Sequence, residues 1–217
     1  MSAYPVTTVW TDFGGVLTPP IEESLAKFCA DNGLTPQEFM GAVRTVSARF
    51  GTSDLLEPLD TPMIDEPAWL HLVSEALGRP VGVRSFGEAW FDGRPANREW
   101  VQTLRAIRWR GVGVSLMSNM VPSWDERWRR MVDVDELFDH VVLSFEVGCR
   151  KPGPEIFELA ASRAGVPPEA CVLIDDTEKN CMGARAAGWH AIHFTDAQSA
   201  AEQLSQLIGE QPKVSGT

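Results

Sequence analysis

Four short segments of this chain carry side chains able to do chemistry, and each follows an apolar run. They are Asp12-Phe13-Gly14-Gly15-Val16-Leu17-Thr18, Ser118-Asn119, Lys151-Pro152 and Asp175-Asp176-Thr177-Glu178-Lys179-Asn180. Singly, each is ordinary: an Asp pair opens a helix as an N-cap, and a loop lysine is solvated. Together they hold what anion chemistry needs. Carboxylates act as nucleophiles and as hard oxygen ligands for a divalent cation. A lysine neutralises charge, and a hydroxyl with main-chain N–H groups holds oxyanions.

The elements that must position these residues alternate in type. Val6 to Phe13, rich in β-branched and aromatic residues, reads as a buried strand ending at Gly14-Gly15. Val112 to Met117, Val141 to Leu143, Cys171 to Ile174 and His190 to Phe194 read as four more strands. Helical spacing covers Asn97–Arg110, Pro154–Ala164, Lys179–Ala187 and Ala197–Ile208, with Gly111, Gly165 and Gly188 as stops. Strands alternating with helices imply an α/β fold, a Rossmann-like parallel sheet covered on both faces. From about Pro19 to Pro95 the alternation stops. Glu22–Asn32, Pro36–Phe50 (opened by Thr35-Pro36), Pro67–Leu77 and Val83–Phe91 read as helices, with no convincing strand. Residues 19–95 therefore read as an inserted all-helical cap over the C-terminal sheet edge, where open α/β sheets bind ligands. Residues 1–18 and 96–217 form the core, and the tail Glu210–Thr217 is expected to fray.

Composition narrows the function. A net charge of −11 over 217 residues disfavours nucleic-acid and anionic-membrane partners, which recruit basic clusters. No apolar stretch approaches the roughly 20 residues of a membrane span, and Met1–Val9 has no secretory pattern. Cys29, Cys149, Cys171 and Cys181 are scattered, without a Cys-x-x-Cys pair, and read as free thiols of a cytoplasmic protein. No Gly-x-Gly-x-x-Gly or Gly-Lys-Ser/Thr loop supports a nucleotide cofactor. The sequence does not indicate an oligomeric state.

The order of the four segments resembles the haloacid dehalogenase superfamily. Its first motif, Asp-x-Asp-Gly-(Thr/Val)-(Leu/Val), is similar to Asp12-Phe13-Gly14-Gly15-Val16-Leu17. Its strand-end Ser/Thr resembles Ser118, its lysine Lys151, and its acidic pair Asp175-Asp176 with Asn180 and Gly188 following. The resemblance covers Val6 to Phe194 and, in place and helical character only, the cap. It implies a hydrolase of a small phosphorylated metabolite that uses Mg²⁺ and forms an aspartyl-phosphate at Asp12. The metal ligands it implies are Asp12, the Gly14 carbonyl and Asp175, with Asp176 assisting through water. Ser118, Lys151 and the main-chain N–H groups around Gly15 and Asn119 would hold the phosphoryl oxygens.

One position departs from the pattern. The family's second aspartate, which protonates the leaving alkoxide, is Gly14 here. General acid–base help is worth roughly a hundred- to ten-thousandfold. Three readings follow: a phosphatase for a good leaving group or with an acid from elsewhere (Glu23 or His71 in the cap, or water), a 2-haloacid dehalogenase, or a non-catalytic binder of a phosphometabolite or protein. Among eight tryptophans, Trp10, Trp100 and Trp109 are expected to pack in the core, as are Trp124 and Trp128, four apart. Trp69, Trp90 and Phe91 fall in the cap, where an aromatic could stack on substrate. Arg127, Arg129 and Arg130 are expected on a solvated face.

Overall fold

The computed structural model describes residues 5–208, so the tail from Glu210 lies outside the described residues. Five strands, β1 (Thr8–Thr11), β2 (Gly113–Ser118), β3 (Val141–Leu143), β4 (Cys171–Asp175) and β5 (His190–His193), form one parallel sheet in the order β3-β2-β1-β4-β5. The segment between β1 and the helix that precedes β2, read above as an insertion, contributes α1 (Ile21–Asp31), α2 (Pro36–Arg49), α3 (Glu57–Asp60), α4 (Glu66–Leu77) and α5 (Phe86–Phe91). The rest of the chain contributes α6 (Arg98–Trp109), α7 (Asp125–Arg129), α8 (Val134–Leu137), α9 (Ser144–Val147), α10 (Pro154–Ala164), α11 (Glu178–Ala186) and α12 (Ala197–Ile208). The α/β reading holds. No helix among the described residues is long and apolar enough to cross a membrane.

The strands are continuous apolar runs because both faces of the sheet are covered. Their period-two alternation sorts them into two cores. Val9, Val114, Leu116, Val172 and Ile174 join one core with α6, α12 and the insertion. Trp10, Met117, Cys171 and Leu173 join the other, with Ile156 and Phe157 of α10 and Ala184 of α11. The α6 pattern contains one correction. Trp100, Leu104 and Ile107 are buried, but Trp109 is 89% exposed. At about 100° per residue, position 109 lies opposite position 100, so it faces solvent.

Helix α2 begins as expected, with a capping box. Thr35 Oγ1 accepts from Glu38 N at 3.2 Å, and Glu38 Oε2 accepts from Thr35 N at 2.8 Å. Helix α5 is shorter than the sequence pattern, because Ser85 Oγ accepts from Glu88 N and fixes the helix start there. Around Phe86 the insertion builds an aromatic core: Phe28, Trp69, Trp90 and Trp124 lie 5.0, 5.2, 5.3 and 5.6 Å away by ring centroid, distances suited to aromatic packing. Trp124 belongs to the segment after β2, so this cluster joins the insertion to the sheet. Trp124 and Trp128 are both buried. Gly87 makes the close approach possible, since a Cβ there would lie 2.4 Å from Trp124 Cδ1.

A buried acid holds the same junction. Glu66 accepts from Trp124 Nε1 at 2.8 Å and from the Ser123 and Ser85 hydroxyls, each at 2.7 Å. Burial pushes its carboxyl up. The three donors, with a main-chain contribution from Gly87, outweigh that and leave it below its ordinary range.

Candidate active site

The sheet register brings the sequence motifs together. β1 is the central strand, and Thr11 pairs with Ile174 on one side and Leu116 on the other. The next residue, Asp12, is therefore level with Asp175 and Met117, one strand spacing (about 4.8 Å) from each. Ser118 ends β2 and is buried beside them. Lys151 arrives from the loop between α9 and α10, where the Asn119 side chain fixes its peptide. Asn119 Nδ2 donates to Lys151 O, and Asn119 Oδ1 accepts from Lys151 N, both at 2.9 Å.

Lys151 is only 1% exposed. Its ammonium has three donors and three partners: Asp12 Oδ1 at 2.8 Å, Met117 O at 3.0 Å and Asp175 Oδ2 at 2.5 Å. Burial alone would lower its pKa, but the two carboxylates overcome this and hold it firmly protonated. Burial pushes the Asp12 carboxyl up against the pull of Lys151, and Asp175 adds to the rise. Asp175 is not a helix N-cap. Its Oδ1 accepts from Thr177 N and Asn180 Nδ2, both at 2.9 Å, leaving Oδ2 for Lys151.

Asp12, Asp175 and Asp176 each offer a carboxylate oxygen, all within 4.8 Å of one another. Burial, then the charges of Asp12 and Asp175, push Asp176 up to about 7. Three carboxylates face one lysine, so negative charge is in excess. An all-oxygen set of this kind fits a hard divalent cation such as Mg²⁺, which would offset the carboxylate repulsion that adds to burial in raising Asp176.

The glycines give this floor its shape. Gly15 has φ 73°, and a Cβ there would lie 2.0 Å from Asp176 Oδ2. Its N–H donates to Thr18 Oγ1 at 3.0 Å. That donor, expected to face substrate, thus closes the loop on itself, and Gly15 contributes room for Asp176. Gly14 lines the cavity above the floor, and a Cβ there would meet Ile21 Cδ1 at 3.3 Å. The place of the family's second aspartate is thus next to an apolar side chain of α1.

That cavity measures about 490 Å³, and Asp12, Ser118, Asn119, Lys151 and Asp176 lie at its base. Trp69, Trp90 and Phe91 line it. So does Trp124, which the sequence pattern placed only in the core. Glu23 and His71 are absent from its walls; both are exposed, and His71 pairs with Glu75. Arg127 and Arg130 lie on a separate surface depression.

Two arginines escaped the sequence reading. Arg94 lines the cavity, lies over the Trp90 ring at 5.2 Å and donates from Nη2 to Pro19 O. Its Nε is buried without a partner, and burial lowers its pKa to about 10 although Asp176 pulls it up. Arg150 reaches from the Lys151 loop to the insertion. It donates to both Asp60 oxygens at 2.8 and 2.9 Å and to Asp54 Oδ2 at 3.0 Å. Its place beside Lys151 was a usable signal. Nothing local marks Asp60, which is 2% exposed, as buried.

Comparison with known proteins identifies the family and the fold. A family model described as haloacid dehalogenase-like hydrolase matches residues 6–188. A phosphoserine phosphatase of Thermus thermophilus is 33% identical over 131 residues, 58% of this chain and 53% of its own, so this chain spans about half of that relative. The sesquiterpene phosphatase astK of Aspergillus oryzae is 30% identical over 159 residues, 72% of this chain and 81% of its own. A HAD family enzyme of Bacteroides thetaiotaomicron, crystallised with magnesium and inorganic phosphate, shares the fold with a TM-score of 0.63 at 22% identity, over 86% of this chain and 93% of that one. This chain belongs to the haloacid dehalogenase-like hydrolases.

Proposed function

We propose that the protein is a Mg²⁺-dependent phosphatase of a small phosphorylated metabolite, with residues 19–95 acting as its cap. The observation that carries this reading is the fully bonded Lys151 ammonium between Asp12 and Asp175, with Asp176 within ligand distance of both. The phosphatases among its relatives support the reaction class.

Asp12 is the nucleophile. Its free oxygen attacks phosphorus in line, the bond from phosphorus to the ester oxygen breaks, and an aspartyl-phosphate forms at Asp12. Water then attacks that phosphorus, releasing inorganic phosphate and restoring the carboxylate. Mg²⁺, held by Asp12, Asp175, Asp176 and the Gly14 carbonyl, would supply positive charge for two anions to approach. Lys151 opposes the effect of burial on the Asp12 carboxyl and aims it. The Ser118 hydroxyl and the Asn119 main chain hold phosphoryl oxygens, and Arg94 adds positive charge from the cavity wall. Gly14 offers no proton, so the leaving oxygen takes its proton from water. The net charge of −11 suits a small-molecule substrate better than a nucleic acid. The four free cysteines suit a reducing compartment such as the cytoplasm.

The test is phosphate release from aryl, anomeric and alkyl phosphates with Mg²⁺ or EDTA, with Asp12→Asn alongside. Metal-dependent turnover absent in D12N is the expected result; turnover that survives in D12N would sink the assignment. Gly14 also favours a second reading, attack on carbon with halide leaving unprotonated. Halide release from 2-haloacids in EDTA would establish that one instead.

A further inference from the structure

We propose that the substrate is a phosphomonoester with an extended hydrocarbon leaving group, held with its phosphate on the carboxylate–lysine floor and its chain among the aromatic and aliphatic walls of the insertion. The inference rests on the phosphatase reading and specifies its substrate class. The cavity is two-sided in chemistry. Polar groups converge at its base, whereas the walls from the insertion include Ile21, Leu25, Met40, Val43, Leu56 and Trp90.

Most charged groups of the wall are already engaged, and Lys179, which also lines the cavity, is 65% exposed and 3.9 Å from Asp54 Oδ2. Arg150 is held by Asp54 and Asp60, with Glu57 Oε2 at 3.6 Å. The Glu66 carboxylate, deeper in the junction, already has three side-chain donors. Arg94 interacts with Asp176 at the phosphate end. A leaving group whose own charge lay among the aromatic and aliphatic walls would lose hydration there without gaining a partner, which is costly. A hydrocarbon gains on entering them.

The cavity volume sets a length. Taking about 30 Å³ per non-hydrogen group, the share of a liquid water, some sixteen groups fill 490 Å³. Phosphate takes five of them, leaving about ten carbons. A cavity of this size lies within the roughly 300–1,000 Å³ of small-molecule sites.

The experiment measures hydrolysis of unbranched alkyl phosphates from two to fourteen carbons, with phosphoserine and phosphoglycolate for comparison, using the full chain with Mg²⁺. Binding of the matching alkylphosphonates, which cannot be hydrolysed, is followed by calorimetry. KM and the phosphonate Kd are both expected to fall about fourfold per added methylene up to about ten carbons and then level off. Met40→Glu, at a half-buried wall position, should raise KM for the ten-carbon ester at least tenfold more than for ethyl phosphate. Hydrolysis with no chain-length dependence, or with preference for the charged short esters, overturns the substrate class and leaves the phosphatase standing. No hydrolysis, with phosphonate affinity still rising with chain length, overturns the phosphatase and keeps the hydrocarbon site. Neither hydrolysis nor binding overturns both.

Discussion

Lys151 Nζ lies 2.8 Å from Asp12 Oδ1 with both side chains withdrawn from solvent, so the nucleophile proposed here depends on a cation that water cannot replace. Asp175 shares the same ammonium. Lys151→Met would leave two buried carboxylates facing each other. Removing one partner of a buried pair costs about 3–5 kcal/mol. K151M should therefore unfold about 3 kcal/mol more easily at neutral pH, less so in acid, where the carboxylates take up protons. Phosphate release should fall at least a hundredfold, the scale of losing one charge-stabilising donor. Denaturant titration at two pH values and a turnover assay check both effects; unchanged turnover would place Lys151 outside the chemistry.

Gly15 is where chain and metal site meet most closely, since a Cβ would overlap Asp176 Oδ2. Gly15→Ala should displace Asp176 as well as strain a left-handed residue by about 1–2 kcal/mol. Mg²⁺ at a hundred times its Kd should stabilise the native chain by about 2.7 kcal/mol. In G15A that gain should shrink by half or more at the same Mg²⁺ concentration. The readout is the difference in Tm between Mg²⁺ and EDTA. A gain equal to the native one would falsify a ligand role for Asp176.

The strands and strand-end residues were legible because a buried parallel strand is an apolar run and its end carries the polar residue. Asp12, Ser118 and Asp175 follow such runs, and the pairing of Thr11 with Leu116 and Ile174 converts sequence order into proximity. The aromatic junction was not legible. Phe28, Phe39, Trp69, Phe86 and Trp124 come from five segments, and only packing shows that they meet. Asp60 and Glu66 look like solvated acids in sequence; their burial follows from partners up to 90 residues away. Trp109 misled because helical spacing identifies an apolar face only relative to its neighbours.

Glu66 predicts a pH dependence. Its donors hold its folded pKa below the ordinary 4.5. Its contribution to stability is therefore complete above that value and lost as pH falls through the lower folded pKa. Glu66→Gln keeps the shape but replaces a charged acceptor among three donors, and should cost about 1–3 kcal/mol at pH 7. Between about pH 5 and 3 the native chain should lose part of that advantage, and the two stability curves should converge. Parallel acid-side curves would mean Glu66 is not the group responsible.

Gly183 of α11 lies against the lysine loop, where a Cβ would sit 2.6 Å from Pro152 O and 3.1 Å from Pro152 Cα. Both are main-chain atoms, so Gly183→Ala must move the loop that carries Lys151. Overpacking of this kind costs about 1–3 kcal/mol. A small displacement of a catalytic group costs up to about a hundredfold in rate. G183A is expected to stay folded at 25 °C with turnover down by tenfold or more. A fall in Tm without a fall in turnover would show that the loop relaxes around the methyl group.

Gly14 and Ile21 yield the last prediction. If the missing proton donor limits hydrolysis of poor leaving groups, an aspartate at position 14 should restore it. Its Cβ would already touch Ile21 Cδ1 at 3.3 Å, and its carboxyl must enter the space that α1 fills. Gly14→Asp alone should therefore gain little, since an apolar neighbour holds the new acid out of line. Combined with Ile21→Ala, which opens that space, it should raise kcat on alkyl phosphates by about a hundredfold or more while changing aryl phosphate turnover far less. The comparison uses ethyl and phenyl phosphate across native, single and double variants, because proton donation matters most where the leaving oxygen is most basic. An equal effect on both esters would show that the change altered binding rather than proton transfer.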